Sequence, residues 1–185
     1  YMDMLKAFFA LPVDVKQGIE KSRSRYFRGW ENVGSELTDN KVDHREQLDL
    51  SSDNEPYADA IEPVYLRLQG PNQWLPDDVL PGFRDTVSGW FSTMESLAGR
   101  LMEILAVGLG LPSDEFRRIF GDQTHSLMKL IHYPPTPPGE AGVNGHHDAG
   151  FLTILLQYEV GGLQVRAHDG TCLLYTSDAA DDTPC

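Results

Sequence analysis

Gly142-Val-Asn-Gly-His146-His147-Asp148-Ala-Gly-Phe151-Leu-Thr-Ile-Leu-Leu-Gln157 sets a histidine and a carboxylate two positions apart, ahead of an apolar run. In an extended chain, residues i and i+2 project to the same side, so the His146 imidazole and the Asp148 carboxylate can occupy adjacent corners of one metal coordination sphere. His147, between them, points the other way. Two histidines and one carboxylate on one face leave positions open for other ligands and suit iron(II), with the second histidine supplied from elsewhere in a fold. The bland alternative is a polar His-His-Asp loop before a buried strand. The flanking glycines permit close backbone approach, and Phe151 to Leu156 has the continuous apolar character of a buried strand.

Outward from this stretch, Leu127 to Tyr133 and Leu163 to Val165 are also strand-like, and Asp169-Gly170 signals a tight turn toward another strand. Upstream the pattern is helical. Short helices are expected over 3–10 and 12–21, and an irregular wrap with short strands over 22–81. A long amphipathic helix is expected from Phe83 to Leu109, carried by Val87, Trp90, Phe91, Met94, Leu97, Leu101, Ile104 and Leu105. A shorter helix from Ser113 to Phe120 follows, with Ser113 or Asp114 as cap and Gly121 just past its end. Helices first and antiparallel strands later give an α+β chain with an incomplete jelly-roll (double-stranded β-helix) core. The expected organisation is a helical and irregular part over 1–121, the first part of the jelly roll over 122–171, and a tail over 172–185.

The 185 residues suffice for one domain with a real core. A net charge of −13, from 28 acidic and 15 basic residues, argues against nucleic acid or anionic lipid as partner. No apolar run is long enough to cross a bilayer and no signal-peptide pattern opens the chain, so a soluble, cytoplasmic protein is expected. Cys172 and Cys185 are too few for a disulfide framework. Both ends read as cut. Tyr1 leads at once into apolar helical spacing without a cap. Cys172-Leu-Leu-Tyr-Thr-Ser-Asp-Ala-Ala-Asp-Asp182 matches one reading frame of a transposon end used in preparing sequencing libraries, so the stretch from Cys172 is expected to be non-native.

Phe8-Phe-Ala-Leu-Pro12, Ser24-Arg-Tyr-Phe-Arg-Gly29, His132-Tyr-Pro-Pro135, Gly145-His-His-Asp148 with the run to Gln157, and Gly161-Gly-Leu-Gln-Val165 occur in an order that resembles the isopenicillin N synthase-like family of iron(II)/2-oxoglutarate-dependent oxygenases. The resemblance spans residues 1 to 171. It implies that His146 and Asp148 bind Fe(II) and that the Tyr133 hydroxyl meets the distal carboxylate of 2-oxoglutarate. Ile131 departs from the pattern, since many plant members carry asparagine there to help hold the cosubstrate. A second iron-binding histidine and a downstream Arg-x-Ser, which the resemblance also implies, have no match in this chain. His168 reads as a solvent-exposed turn residue, His125 and His132 as core or channel residues, and His44 as a surface-loop residue.

The activity implied is oxidation of a small organic substrate by hydroxylation, desaturation or cyclisation, with dioxygen consumed and 2-oxoglutarate converted to succinate and CO2. The 185 residues alone are expected to be inactive. Two alternatives stand beside it: an oxidase of the isopenicillin N synthase type that does not use 2-oxoglutarate, and a non-catalytic metal-binding or truncated product. Arg23, Arg25 and Tyr26, with Arg28 and Trp30 nearby, form a basic aromatic cluster that could meet a substrate carboxylate. Such arginines also commonly solvate a surface or pair with local acids such as Glu31 and Glu36. Lys129 alternates with Tyr133 along one strand face and could approach the site.

Overall fold

The alternation in Glu46-Gln-Leu-Asp-Leu-Ser51 builds the sheet. Successive side chains of a strand face opposite ways, so Glu46, Leu48 and Leu50 share one face and Gln47, Asp49 and Ser51 the other. In the computed structural model, which describes residues 1–121, 125–138 and 140–175, this segment is the central strand β4 (Glu46–Ser51). It lies between β1 (Gly29–Glu31) and β5 (Leu127–His132), with both pairings antiparallel. The registers set Trp30 opposite Leu48 and Leu48 opposite Leu130, a row of apolar side chains across the sheet. β2 (Leu37–Thr38) and β3 (Lys41–Val42) form a tight hairpin between β1 and β4. Asp39 and Asn40 both have positive φ there, as the two-residue turn that matches strand twist demands.

Trp30, Leu48, Leu50 and Leu130 join Phe8, Ile19, Leu75, Phe83 and Val87 in the core. α1 (Met2–Phe9) and the start of α3 (Phe83–Gly108) meet through stacked rings of Phe8 and Phe83, 4.8 Å between centroids. One charged group lies on the same face. Glu46 accepts hydrogen bonds from Lys16 Nζ at 2.7 Å and Trp30 Nε1 at 2.9 Å, and its other oxygen lies 2.9 Å from His132 Nδ1.

Four sequence expectations change. The helix expected over 12–21 is broken into α2 (Val13–Lys16) and two short 3-10 turns, because Glu20 turns extended and bridges Trp30. The long helix begins and ends as expected, but only Phe83, Val87 and Ala106 are buried, while Ile104 and Leu109 are about two-thirds exposed. The three-stranded sheet takes β1 and its central strand β4 from the segment read as an irregular wrap with short strands, ahead of the β-core expected beyond Gly121. Phe151 to Gln157 forms no strand and is mostly exposed. A strand exists by pairing its backbone groups, and no strand among the described residues pairs with this run. α4 (Glu115–Phe120) ends at Gly121, whose φ of 76° suits a glycine past a helix end.

The chain divides into compact units of residues 1–148 and 149–185. In the second, β6 (Leu163–Arg166) pairs antiparallel with β7 (Cys172–Tyr175). The turn between them closes through Gly170 N–H to the Ala167 carbonyl and Thr171 N–H to Asp169. The pairing expected after Asp169-Gly170 thus forms, with a strand from the stretch read as a non-native tail. Residues 176–185 of that stretch lie outside the described residues. No described helix is long and apolar enough to cross a membrane.

Candidate metal and cosubstrate site

β5 stops where Tyr133 gives way to Pro134 and Pro135, which have no N–H for a ladder. The following segment is tied back to the start of β4: the His44 N–H donates to the Gly142 carbonyl at 2.8 Å, and the His44 ring pairs with Glu140. His44, expected on a surface loop, therefore anchors the segment that leads to the His-x-Asp pair. Gly142 also takes the Tyr133 ring, since a Cβ placed there would lie 2.7 Å from Tyr133 Cδ1.

Four residues beyond Gly142, His146 Nδ1 lies 2.8 Å from the Asn144 carbonyl oxygen. A carbonyl only accepts, so Nδ1 carries the proton and Nε2 is the free ligand atom. Nε2 lies 3.4 Å from Asp148 Oδ1, with both side chains about half exposed. Adjacent corners of an octahedron with bonds of about 2.1 Å lie about 3.0 Å apart, so the pair is a small side-chain adjustment from holding one cation. A neutral imidazole lone pair and a carboxylate at this distance are stabilised by a positive charge between them. The residues fit a metal. Residues 144–148 are not in a strand, yet i and i+2 still converge. The sole group of three or more ligand-type side chains among the described residues is Glu31, Glu36 and Asp49.

That acidic group sits on the polar face of the sheet and is already neutralised by protein cations. Lys21 Nζ reaches Glu31, Glu36 and Asp49 at 2.9, 3.2 and 2.7 Å, and Lys129 Nζ meets Asp49 Oδ1 at 2.9 Å. Burial alone would raise the Glu36 carboxyl, but Lys129, a hydrogen bond with Glu31 and Lys21 together push it down to about 2. Burial raises Glu31, which shares a hydrogen bond with Glu36. Lys129 is thus engaged with this network. On the same face Arg45 Nη2 lies 3.0 Å from both Glu36 Oε2 and Asp43 Oδ2.

The proposed substrate cluster is placed differently. Arg23 donates to the Gln17 and Gly18 carbonyls at the 3-10 turns. Arg25 makes an exposed pair with Asp59 at 2.7 Å, and the Tyr26 ring packs on Gly70. Arg28 is buried and donates to the Tyr26 carbonyl at 2.6 Å. His168 is exposed beside its turn, and burial with the Arg28 charge lowers His125. The sequence signal that could have found Glu46 is the polar–apolar alternation of Gln47–Ser51 in its strand.

Residues 1–77 match the family described as non-haem dioxygenase in morphine synthesis N-terminal, and residues 124–180 match the 2OG-Fe(II) oxygenase superfamily. The 2-oxoglutarate-dependent dioxygenase frbJ of Dothideomycetidae sp. is 37% identical over 171 residues, covering 89% of this chain and 45% of that protein. A 2-oxoglutarate-dependent dioxygenase of Gibberella zeae is 36% identical, covering 81% and 41%. The crystal structure of a full-length Neurospora crassa protein in complex with alpha-KG and thymine superposes with a TM-score of 0.77 at 25% identity, covering 95% of this chain and 56% of that one. A 2OG-Fe(II) oxygenase family protein from Caulobacter crescentus gives 0.73 at 30% identity, covering 96% and 55%. The chain spans about half the length of these relatives. Two family matches in sequence order, with relatives and solved structures of one kind behind them, place the chain in the 2OG-Fe(II) oxygenase superfamily.

Proposed function

We propose that the whole protein is an Fe(II)- and 2-oxoglutarate-dependent oxygenase of a small organic molecule, and that His146 Nε2 and Asp148 supply two of its metal ligands. The observation that carries this reading is the 3.4 Å approach of Nε2 to Asp148 Oδ1, with Nδ1 fixed by the Asn144 carbonyl. The three-stranded sheet and the β6–β7 hairpin are read as parts of a jelly-roll core. Bound iron would supply activation of dioxygen, the oxidant of both 2-oxoglutarate, released as succinate and CO2, and the substrate. The chain's own residues bind and orient. Asn144 holds the imidazole tautomer, Gly142 seats the Tyr133 ring, and the Tyr133 hydroxyl donates to the distal carboxylate of 2-oxoglutarate. Of the residues proposed to face substrate, Arg25 is the best placed, because its guanidinium is two-thirds exposed and its partner Asp59 is an exposed acid. Arg23 and Tyr26 would act through the local structure they hold.

Substituting His146→Ala or Asp148→Ala in the whole protein should lower Mn(II) affinity, read by calorimetry, at least tenfold, and abolish 2-oxoglutarate-dependent succinate formation. Unchanged metal affinity in both variants would remove the pair from the site. Substrate oxidation that proceeds without 2-oxoglutarate would favour an oxidase that takes its electrons from substrate.

A further inference from the structure

We propose that Phe27 is a substrate-contacting residue: its ring, held out by a braced left-handed backbone at the rim of the charged sheet face, takes a flat, uncharged aromatic group of the substrate. This deepens the proposed oxygenase function and rests on it.

Three described residues other than glycine have positive φ. Asp39 and Asn40 have short polar side chains that tolerate it, and their hairpin turn calls for it. Phe27, with a φ of 58°, has neither reason, and a bulky side chain there is strained. Its neighbours are pinned on both sides. The Tyr26 ring packs on Gly70, where a Cβ would lie 2.6 Å from Tyr26 Cδ1. Buried Arg28 donates through Nη1 to the Tyr26 carbonyl at 2.6 Å and through Nη2 to the Leu68 carbonyl at 3.4 Å, and its own carbonyl accepts from Gln73 Nε2 at 2.6 Å. Gly29 follows, where a Cβ would collide with the Ile19 carbonyl. These contacts hold the backbone and leave the Phe27 side chain 63% exposed. Strain that the surroundings impose, and that buries no side chain in return, is characteristic of ligand sites.

Lys21 fixes where the ring stands. Its Nζ lies over the Phe27 ring, 5.6 Å from the centroid, and the same ammonium reaches Glu31, Glu36 and Asp49. Lys129, on the other oxygen of Asp49, belongs to β5, the strand that runs into Tyr133. Phe27 therefore borders the polar face of the strands that lead to the cosubstrate residue. Carboxylates already balance Lys21 and Lys129, so an anionic group gains little there. What the rim adds is an aromatic plane with an ammonium on one side, and flat aromatic groups stack on such a plane better than saturated ones do.

Indole is the probe. Its binding to the whole protein, loaded with Mn(II) and 2-oxoglutarate in the absence of dioxygen, is followed by proton NMR, in which Mn(II) broadens the lines of a molecule held near it. Indole should bind more tightly than cyclohexanol and show that broadening. Phe27→Ala should weaken it about tenfold, and Phe27→Tyr, which keeps the ring, less than about threefold, with Mn(II) affinity within about twofold in both. Phe27→Gly should bind indole as poorly as Phe27→Ala yet melt at a higher temperature, because glycine takes positive φ without strain. A purely structural role would move binding and melting together. Indole that does not bind, binds Phe27→Ala equally well or binds without broadening would overturn the inference. So would a Phe27→Ala protein that melts well below the wild type, since the ring would then be a buried contact of the whole protein. Absence of Mn(II) binding would refute the metal reading and take this inference with it, whereas normal Mn(II) binding with indole indifferent to Phe27 refutes the inference alone.

Discussion

At Gly142 the missing side chain is the feature. Its Cβ position falls 2.7 Å from Tyr133 Cδ1, and its carbonyl accepts from the His44 backbone. Gly142→Ala should push the Tyr133 ring off its seat. We expect a loss of about 1 to 3 kcal/mol by urea unfolding, with weaker 2-oxoglutarate binding in the whole protein. Binding that stays normal despite the stability loss would separate the ring's seat from cosubstrate recognition. Glu46 is a second pivotal residue. Buried Lys16 has Glu46 and the Phe9 carbonyl as partners at 2.7 and 2.8 Å. Glu46→Gln leaves that ammonium without its counter-charge and should cost about 3 kcal/mol or more, since breaking one side of a buried pair strands the other. Arg25→Ala, at an exposed pair, should leave stability within about 0.5 kcal/mol. A raised substrate KM in that variant, with 2-oxoglutarate binding unchanged, would support its substrate-facing role.

Among the elements, α3 shows how periodicity and burial part ways. Its apolar residues recur at helical spacing along its whole length, which specifies a helix. Which part of that stripe is covered depends on what lies beside it. Val87 is fully buried in the core and Ile104 is about two-thirds exposed. Val87→Ala should cost on the order of 2 kcal/mol and Ile104→Ala less than about 0.5 kcal/mol, measured as shifts in chemical unfolding. Equal costs would contradict this packing. β4 shows the converse: three of its six residues are carboxylic acids or an amide, so composition hides the strand while alternation declares it. The acids are tolerated because Lys16, Lys21, Lys129 and Trp30 reach in from other elements.

For the molecule as a whole, the two faces of one sheet have different chemistry: an apolar core with Glu46 at its margin, and a lattice of acids and bases. Both make stability depend on acid pH. Glu36 is held at about 2 against an ordinary value of 4.5, so its contribution is complete above about pH 4.5 and is lost as pH falls toward 2. Glu46 shifts the same way: burial raises it, but bonds from Lys16, His132 and Trp30 outweigh that and keep it ionised. Glu31 shifts upward and works in the opposite sense. Urea midpoints taken from pH 7 to pH 2 should fall through this window, and Lys129→Met should flatten the fall attributable to Glu36. A fall with the same slope in that variant would exclude Lys129 as the cause.

The sequence by itself determined what local covalent chemistry can determine: the long helix and its glycine stop, strand β5, the turn at Asp169-Gly170, and a histidine and carboxylate at a spacing that converges on one side. The family resemblance was legible for the same reason, because its motifs are short contiguous strings. Only the tertiary structure decided that Glu20 leaves its helix to bridge Trp30, that β4 is the central strand, that Phe151 to Gln157 forms no strand, and that Glu46 stands opposite His132. Each of these depends on a partner far along the chain. Local propensity states what a segment can adopt; the backbone and charge partners that complete it become neighbours only when the chain folds.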